Sequence, residues 1–196
     1  MTLKPLEPQV LSGRHVMLEP ITAEHRDGLR EAASDPALWQ HTSLDGAADF
    51  AGWWDAATNG SRIAFAVRRK EDGTIIGSTS YLGIVPKHAC VEVGWAFYIR
   101  AAQGTAINPE SKYLLLENAF ACGYHRVELW TNRLNAASRA AILKLGAKED
   151  GILRENIWLP RGIWRDSVVH SILANEWPEL RARLQTRIEA FAPTPR

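Results

Sequence analysis

The sequence predicts an α/β fold in a single domain, a mixed, mostly antiparallel sheet of about seven strands flanked by helices. Three observations lead there. Apolar runs of strand length recur at 63–67, 75–84 and 91–99, and the clusters Glu71-Asp72-Gly73 and Val85-Pro86-Lys87 between them carry turn chemistry, which makes an antiparallel meander. A helical stripe of Leu115, Leu116, Ala119 and Phe120 then separates the last of these runs from a short strand at 126–131. A strand reached through a helix pairs in parallel with the one before it. Finally, 147–159 and 164–173 read as a hairpin around Pro160-Arg161-Gly162.

The elements follow in order. Residues 1–13 carry Pro5 and Pro8, end in Ser12-Gly13 and read as an extended lead-in to a first strand at 15–19. A helix over 22–34 starts at Thr22, with His25 where a capping box usually has Glu, buries Leu29 and Ala33 and stops at Asp35-Pro36. A second helix over 47–59 gathers Phe50, Trp53, Trp54 and Ala57 at helical spacing before Asn59-Gly60 ends it. The central helix is expected over 110–122, with Asn108 as N-cap, Pro109 at the first helical position and Gly123 as C-cap. A fourth helix over 135–145 ends at Gly146. Behind Pro178, Leu180, Leu184, Ile188 and Phe191 mark a C-terminal helix over 177–191. Its apolar stripe packs on the domain or on a second copy, which leaves a homodimer open.

A chain of 196 residues with 46% apolar and 23% charged residues is that of one ordinary globular domain, 1–196. The 23 basic and 22 acidic residues give a net charge of +1, so no field is present to hold a nucleic acid or an anionic membrane. No apolar run approaches the about 20 residues of a membrane span, and Met1-Thr2-Leu3-Lys4-Pro5 lacks the form of a secretory signal. The expected compartment is the cytoplasm. Cys90 and Cys122 read as reduced, buried thiols, and the six scattered histidines have no ligand spacing, which argues against a metal site.

The most informative segment is Gln103-Gly104-Thr105-Ala106-Ile107-Asn108-Pro109, set between a strand and a helix. Its NH groups meet the positive end of a helix dipole, which favours a pyrophosphate. Taken alone it is equally a glycine-containing turn with no ligand. Together with Glu92-Val93-Gly94-Trp95, Arg126-Val127-Glu128-Leu129 and the run that begins Asn135-Ala136-Ala137-Ser138 and ends at Leu145-Gly146, in this order and spacing, it resembles the GCN5-related N-acetyltransferase (GNAT) superfamily. The nearest resemblance is to the RimJ/RimL-like branch, which acetylates ribosomal-protein N-termini, and it runs from about Leu11 to Leu180.

The resemblance implies a sheet whose fourth and fifth strands splay apart and acetyl-coenzyme A as co-substrate. It puts pantetheine along Trp95, Phe97, Tyr98 and Ile99, the pyrophosphate at Gln103, Gly104, Thr105, Ala106, Ile107 and Asn108, and a further cofactor contact at Asn135 and Ser138. The chain departs from the common pattern at Ala101, where Gln or Arg is usual, at Ala106, and at Ile142, where many members carry a tyrosine acid. Ser138 matches the residue proposed for that acid in the RimJ/RimL-like branch. Glu92 matches a general base of some relatives.

Alternation by itself sends Val91, Val93, Trp95, Phe97 and Ile99 one way and Glu92, Gly94, Ala96 and Tyr98 the other. Glu92 is then a carboxylate on an otherwise apolar strand, either a solvated or arginine-paired strand-end group or, with a pKa raised by partial burial, a base. Asn135 and Ser138 share a helix face and suit helix capping equally well. The resemblance also makes cleft walls of 38–41, Trp53, Trp54 and the hairpin tip from Trp158 to Trp164, whereas Trp53 and Trp130 read as core. The implied function is acetyl transfer to a primary amine by direct attack, with a protein N-terminal α-amine suggested by the branch. An α-amine, at about 8, gives up its proton more easily than a lysine at about 10.4. A small amine as acceptor and a non-catalytic acyl-coenzyme A sensor are the alternatives.

Overall fold

One sheet contains β1 (Leu11–Ser12), β2 (Val16–Pro20), β3 (Ile63–Arg69), β4 (Ile75–Val85), β5 (Cys90–Tyr98), β6 (Arg126–Asn132), β7 (Lys148–Leu159) and β8 (Ile163–Leu173). The computed structural model describes residues 3–159 and 162–191 and orders these strands β1-β2-β3-β4-β5-β6-β8-β7. Helices α1 (Arg26–Ala32), α2 (Phe50–Thr58), α3 (Ile107–Ala121), α4 (Ala136–Leu145) and α5 (Trp177–Glu189) cover its faces. Every pairing is antiparallel except β5 with β6, where α3 makes the crossover.

β3 shows why the strands read as continuous apolar runs. Phe65 and Val67 enter the core that holds Leu115 of α3, Leu145 of α4 and Leu184 of α5, whereas Ala64 and Ala66 enter a second core with Leu29, Trp39 and Trp53. A strand covered on both faces has no polar side to alternate.

A buried carboxylate fixes α3 against the start of the chain. Glu110 accepts the NH groups of Arg14 at 2.7 Å, His15 at 2.6 Å and Val16 at 2.8 Å, from the β1–β2 turn and the first residue of β2. Gly13 leaves it room, since a Cβ there would come within 2.8 Å of all three carboxyl-group atoms. This latch accounts for the eighth strand. Drawn against α3, Leu11 and Ser12 pair with Leu18 and Met17, and part of the expected lead-in becomes β1.

Helix limits move where side chains supply the caps. Asp49 Oδ1 accepts the Gly52 NH at 2.9 Å, so α2 begins at Phe50 rather than 47. The central helix begins at Ile107, almost a turn earlier than expected, and Asn108 is not its N-cap. Ala106 holds that position, and Thr105 Oγ1 takes the Ile107 NH at 3.3 Å. Pro109 falls within the first turn, where a backbone NH would have no helical acceptor. Residues 22–34 divide into a 3-10 turn, Ala23–His25, and α1, with His25 Nδ1 accepting the Thr22 NH at 3.0 Å in the place of the usual glutamate.

α5 lays Trp177, Leu180 and Leu184 into the main core, with Trp177 stacked on Phe120 at 5.2 Å. The C-terminal stripe therefore packs on its own domain. β7 and β8 pair as far as Leu159 with Ile163, and the expected turn residues Pro160 and Arg161 lie outside the described residues. Cys90 and Cys122 are free and half-buried. Among the described residues no side-chain cluster suits a metal ion, and no helix is long and apolar enough to cross a membrane.

Glu110→Gln keeps the volume and removes the charge that the three NH groups share. The expected loss is about 1–3 kcal/mol of unfolding free energy, seen as a lower urea midpoint at unchanged slope. An unchanged midpoint would remove the latch from the account of the fold.

Candidate active site

β5 carries the site because its two neighbours treat it differently. Toward β6 it pairs only at Cys90 with Arg126, Val91 with Val127 and Glu92 with Glu128. From Val93 onward the strands part, and the β6-facing backbone of β5 has no strand partner. Toward β4, Ser78 faces Phe97 and Ser80 faces Gly94, which leaves Thr79 alone opposite both Trp95 and Ala96. That is a β-bulge. Trp95 stands at φ 49°, a left-handed conformation uncommon for a bulky side chain.

The bulge overturns strict alternation along this strand. Val91, Val93 and Tyr98 point into the α3 core, whereas Phe97 joins the α1/α2 core and Trp95 packs against it. One extra residue reverses the faces beyond Gly94. What the stretch from Trp95 to Ile99 shares is an unpaired backbone edge, not a common side-chain face. The Trp95 ring stacks on Trp53 at 5.3 Å, nearly parallel at 4°, and the Arg62 guanidinium lies 3.9 Å from the Trp95 centroid.

Glu92 is the last paired residue before the strands part. It is half-buried. Burial pushes its carboxyl up to about 7; Glu128 adds to the rise, and Arg165, Lys112 and Arg62 oppose it. Glu128 is itself engaged, accepting Arg126 Nε at 2.8 Å and Trp130 Nε1 at 2.9 Å. Trp130 is thus a half-buried hydrogen-bond donor rather than plain core.

Lys112 completes the group from α3. Its Nζ is buried 3.2 Å from Oγ1 of Thr79, the residue opposite the bulge. Burial brings the ammonium down to about 8, with Glu92 holding it up. Sequence reasoning missed Lys112, Arg62 and Arg165. The one available signal was that Lys112 precedes Leu115 and Leu116 by three and four positions, which sets a charge on the buried helix face.

Beyond β5, Gln103, Gly104 and Thr105 are exposed ahead of α3. The NH groups of Gly104, Thr105, Ala106 and Asn108 have no acceptor among the described residues. Gly104 stands at φ 76°, with nothing within 4 Å of where a Cβ would project. Free donors at the start of a 15-residue helix make a place suited to an anion. The side chains of Ala106 and Ile107 are buried, so their part in such a place is backbone only.

Asn135 caps α4, its Oδ1 accepting the Ser138 NH at 3.0 Å. The capping role is therefore real, while Asn135 Nδ2 and Ser138 Oγ make no hydrogen bond among the described residues. Ile142 is buried in the core. Trp39, expected in the cleft wall, is also core and donates from Nε1 to the Ala33 carbonyl at 2.8 Å. His41 meets the end of β6 through its carbonyl, 3.5 Å from Asn132 Nδ2. Trp158 and Trp164 are exposed on the hairpin and meet edge to face at 5.1 Å.

Comparison with known proteins bears on the family and the fold. The family model described as the acetyltransferase (GNAT) domain matches residues 15–148. The chain is similar to the solved structure of a GCN5-related N-acetyltransferase from Brucella melitensis, with 28% identity over 98% of this chain and 90% of that one and a TM-score of 0.90. A structure from T. thermophilus described as an acetyltransferase is 32% identical over 94% of this chain and 99% of its own, with a TM-score of 0.82. Mycobacterium smegmatis RimJ, solved with CoA-disulfide, shares the fold at 19% identity, covering 93% and 95% of the two chains with a TM-score of 0.77. Among curated proteins, none matches the sequence significantly.

The Glu92 carboxyl is expected to titrate with a midpoint near 7 in carbon-13 NMR of the labelled protein. Lys112→Met removes a nearby cation that favours the carboxylate, so the midpoint should rise. A midpoint in the ordinary carboxylate range, or one that falls in the variant, would contradict this electrostatic account.

Proposed function

The chain belongs to the GNAT acetyltransferase family, and from that premise we propose that it transfers the acetyl group of acetyl-coenzyme A to a primary amine, with Glu92 as base and an α-amino group as the favoured acceptor. The observation that carries this reading is a carboxyl poised at about 7 where β5 and β6 part. Such a group is partly ionised near neutral pH and takes up a proton readily. An α-amine at about 8 is close to it, while a lysine at about 10.4 is far above. A protein N-terminus is one source of such an amine and a small molecule is another.

Coenzyme A binding is supported by two sets of free backbone groups. The NH groups of Gly104, Thr105, Ala106 and Asn108 suit a pyrophosphate, and the unpaired edge of β5 from Trp95 to Ile99 suits the amides of pantetheine. Bound there, the cofactor supplies an activated thioester. NH groups of the same edge stabilise the oxyanion. Glu92 takes the proton as the amine nitrogen bonds to the acetyl carbon and the carbon–sulfur bond breaks, and the sulfur leaves as thiolate. Ser138 Oγ is free to donate a hydrogen bond to that thiolate, and Asn135 Nδ2 to pantetheine.

Thiol release over a panel of amines tests the reading. Activity should rise with pH through about 7, because only ionised Glu92 accepts the proton. Glu92→Gln should lower kcat by about 100-fold or more and abolish that limb, with coenzyme A affinity unchanged by calorimetry. Wild-type rates in that variant would return Glu92 to a structural role. Gly104→Val should weaken coenzyme A binding, and tight binding without turnover of any amine would favour the acyl-coenzyme A sensor.

A further inference from the structure

Arg62, just ahead of β3, and Arg165, on β8, differ from the half-buried arginines Arg68, Arg69 and Arg126 of the strands. Arg68 pairs with Glu19, Arg69 with Asp72, and Arg126 with Glu128 and Asp150. Arg62 and Arg165 have no such partner among the described residues. Their Nε atoms, and Nη1 of Arg62, are closed off from solvent with no hydrogen-bond acceptor. Arg62 is held by its flat face over Trp95, which leaves its NH edge uncommitted. Burial pulls both guanidinium groups below their ordinary range, and Glu92 is the carboxylate that opposes it.

Lys112 is a third cation acting on Glu92, and its hydrogen bond goes to a neutral hydroxyl. Glu128 is already taken by Arg126 and Trp130. Three cations thus act on one available carboxylate, so positive charge is in excess around the slot. Enclosed guanidinium donors without acceptors are costly, and a bound anion relieves the cost.

The geometry points to an acceptor that carries a carboxylate close to its amine, the amine meeting Glu92 while Arg62 and Arg165 hold the carboxylate. This rests on the reading of Glu92 given under Proposed function. For Arg62, the phosphates of coenzyme A are not that anion. Arg62 lies one residue beyond the Ile63 and Tyr81 pair, beside Leu82, which is the partner of Glu92. The phosphate-suited loop begins only after Tyr98, six residues past Glu92 on β5, or about 20 Å at strand spacing.

A guanidinium grips a carboxylate through two parallel N–H···O bonds. A free α-amino acid bears amine and carboxylate on one carbon and serves both halves of the site. A polyamine would add charge of the sign already in excess. In a peptide the α-carboxyl is consumed in an amide, so an acidic side chain has to supply the anion.

The test compares kcat/KM by thiol release for free α-amino acids, their primary amides, and dipeptide amides with acidic or neutral first residues. The wild type should prefer the free acids over their amides by about tenfold or more. Arg62→Gln and Arg165→Gln should bring that ratio toward one, chiefly through KM, with the corresponding Lys variants intermediate. Calorimetric coenzyme A affinity reports that each variant is folded, and the wild-type ratio stands if one is not. A preference for acidic dipeptide amides would support the anion site and assign the carboxylate to a side chain. Equal rates on acids and amides would overturn the inference and leave acetyl transfer intact. Absence of turnover on every amine, neutral ones included, would overturn the Glu92 reading and the inference with it.

Discussion

The parting of β5 from β6 is the constraint on which the rest of the site depends. The parallel ladder ends where Glu92 meets Glu128, two carboxylates side by side on adjacent strands, and like charges in that position oppose further pairing. Glu128 is drawn aside by Arg126 and Trp130, so Glu92 keeps the slot to itself. Three residues later the bulge at Trp95 turns the following side chains to opposite cores, and the Trp53 stack holds that turn in place. β5 can then no longer follow β6. The outcome is a backbone edge left unpaired beside the core, an arrangement that folded chains avoid unless something else satisfies it.

Four charges around that edge are displaced from their solution behaviour, and burial is the main cause in each case. Glu92 is pushed up, while Lys112, Arg62 and Arg165 are pushed down. The hydroxyls of Ser78 and Ser80 on the neighbouring strand are buried with no hydrogen-bond partner. None of this helps the fold, since buried charges and unmatched donors destabilise it. Stability has to come from elsewhere, and two apolar cores, one on each face of the sheet, supply it. Displaced charges and unmatched polar groups around an open backbone edge are a usual mark of a binding site.

α3 connects the stable parts to that edge. Within two residues it carries Glu110, which grips the β1–β2 turn and the start of β2 through three NH groups, and Lys112, which reaches the bulge. One turn earlier its free NH groups form the phosphate-suited end, and one turn later Leu115 and Leu116 enter the core. The helix is therefore fixed in rotation by a carboxylate on one side and leucines on the other, which sets the direction of both the lysine and the donor cluster. A helix free to slide or turn would lose the alignment of all three.

The sequence by itself determined the strand and helix order, the parallel crossover through α3, the stops at Gly123 and Gly146, and the cap at Asn135, because each rests on periodicity or on local backbone chemistry within a few residues. It also singled out Glu92 and the Gln103 to Asn108 loop, whose residue types are informative where they stand. Local rules misjudged the start of α3, since Thr105 supplies a bond that the pattern assigned to Asn108, and they misjudged the faces of β5, since no composition signal marks a bulge at Trp95. Trp39 looked like cleft wall and proved to be core for the same reason: its surroundings come from distant segments. Only the tertiary structure could bring Arg62, Lys112 and Arg165 to Glu92, and the grouping of charges that decides the site's chemistry depends on long-range register and burial, which spacing along the chain does not encode.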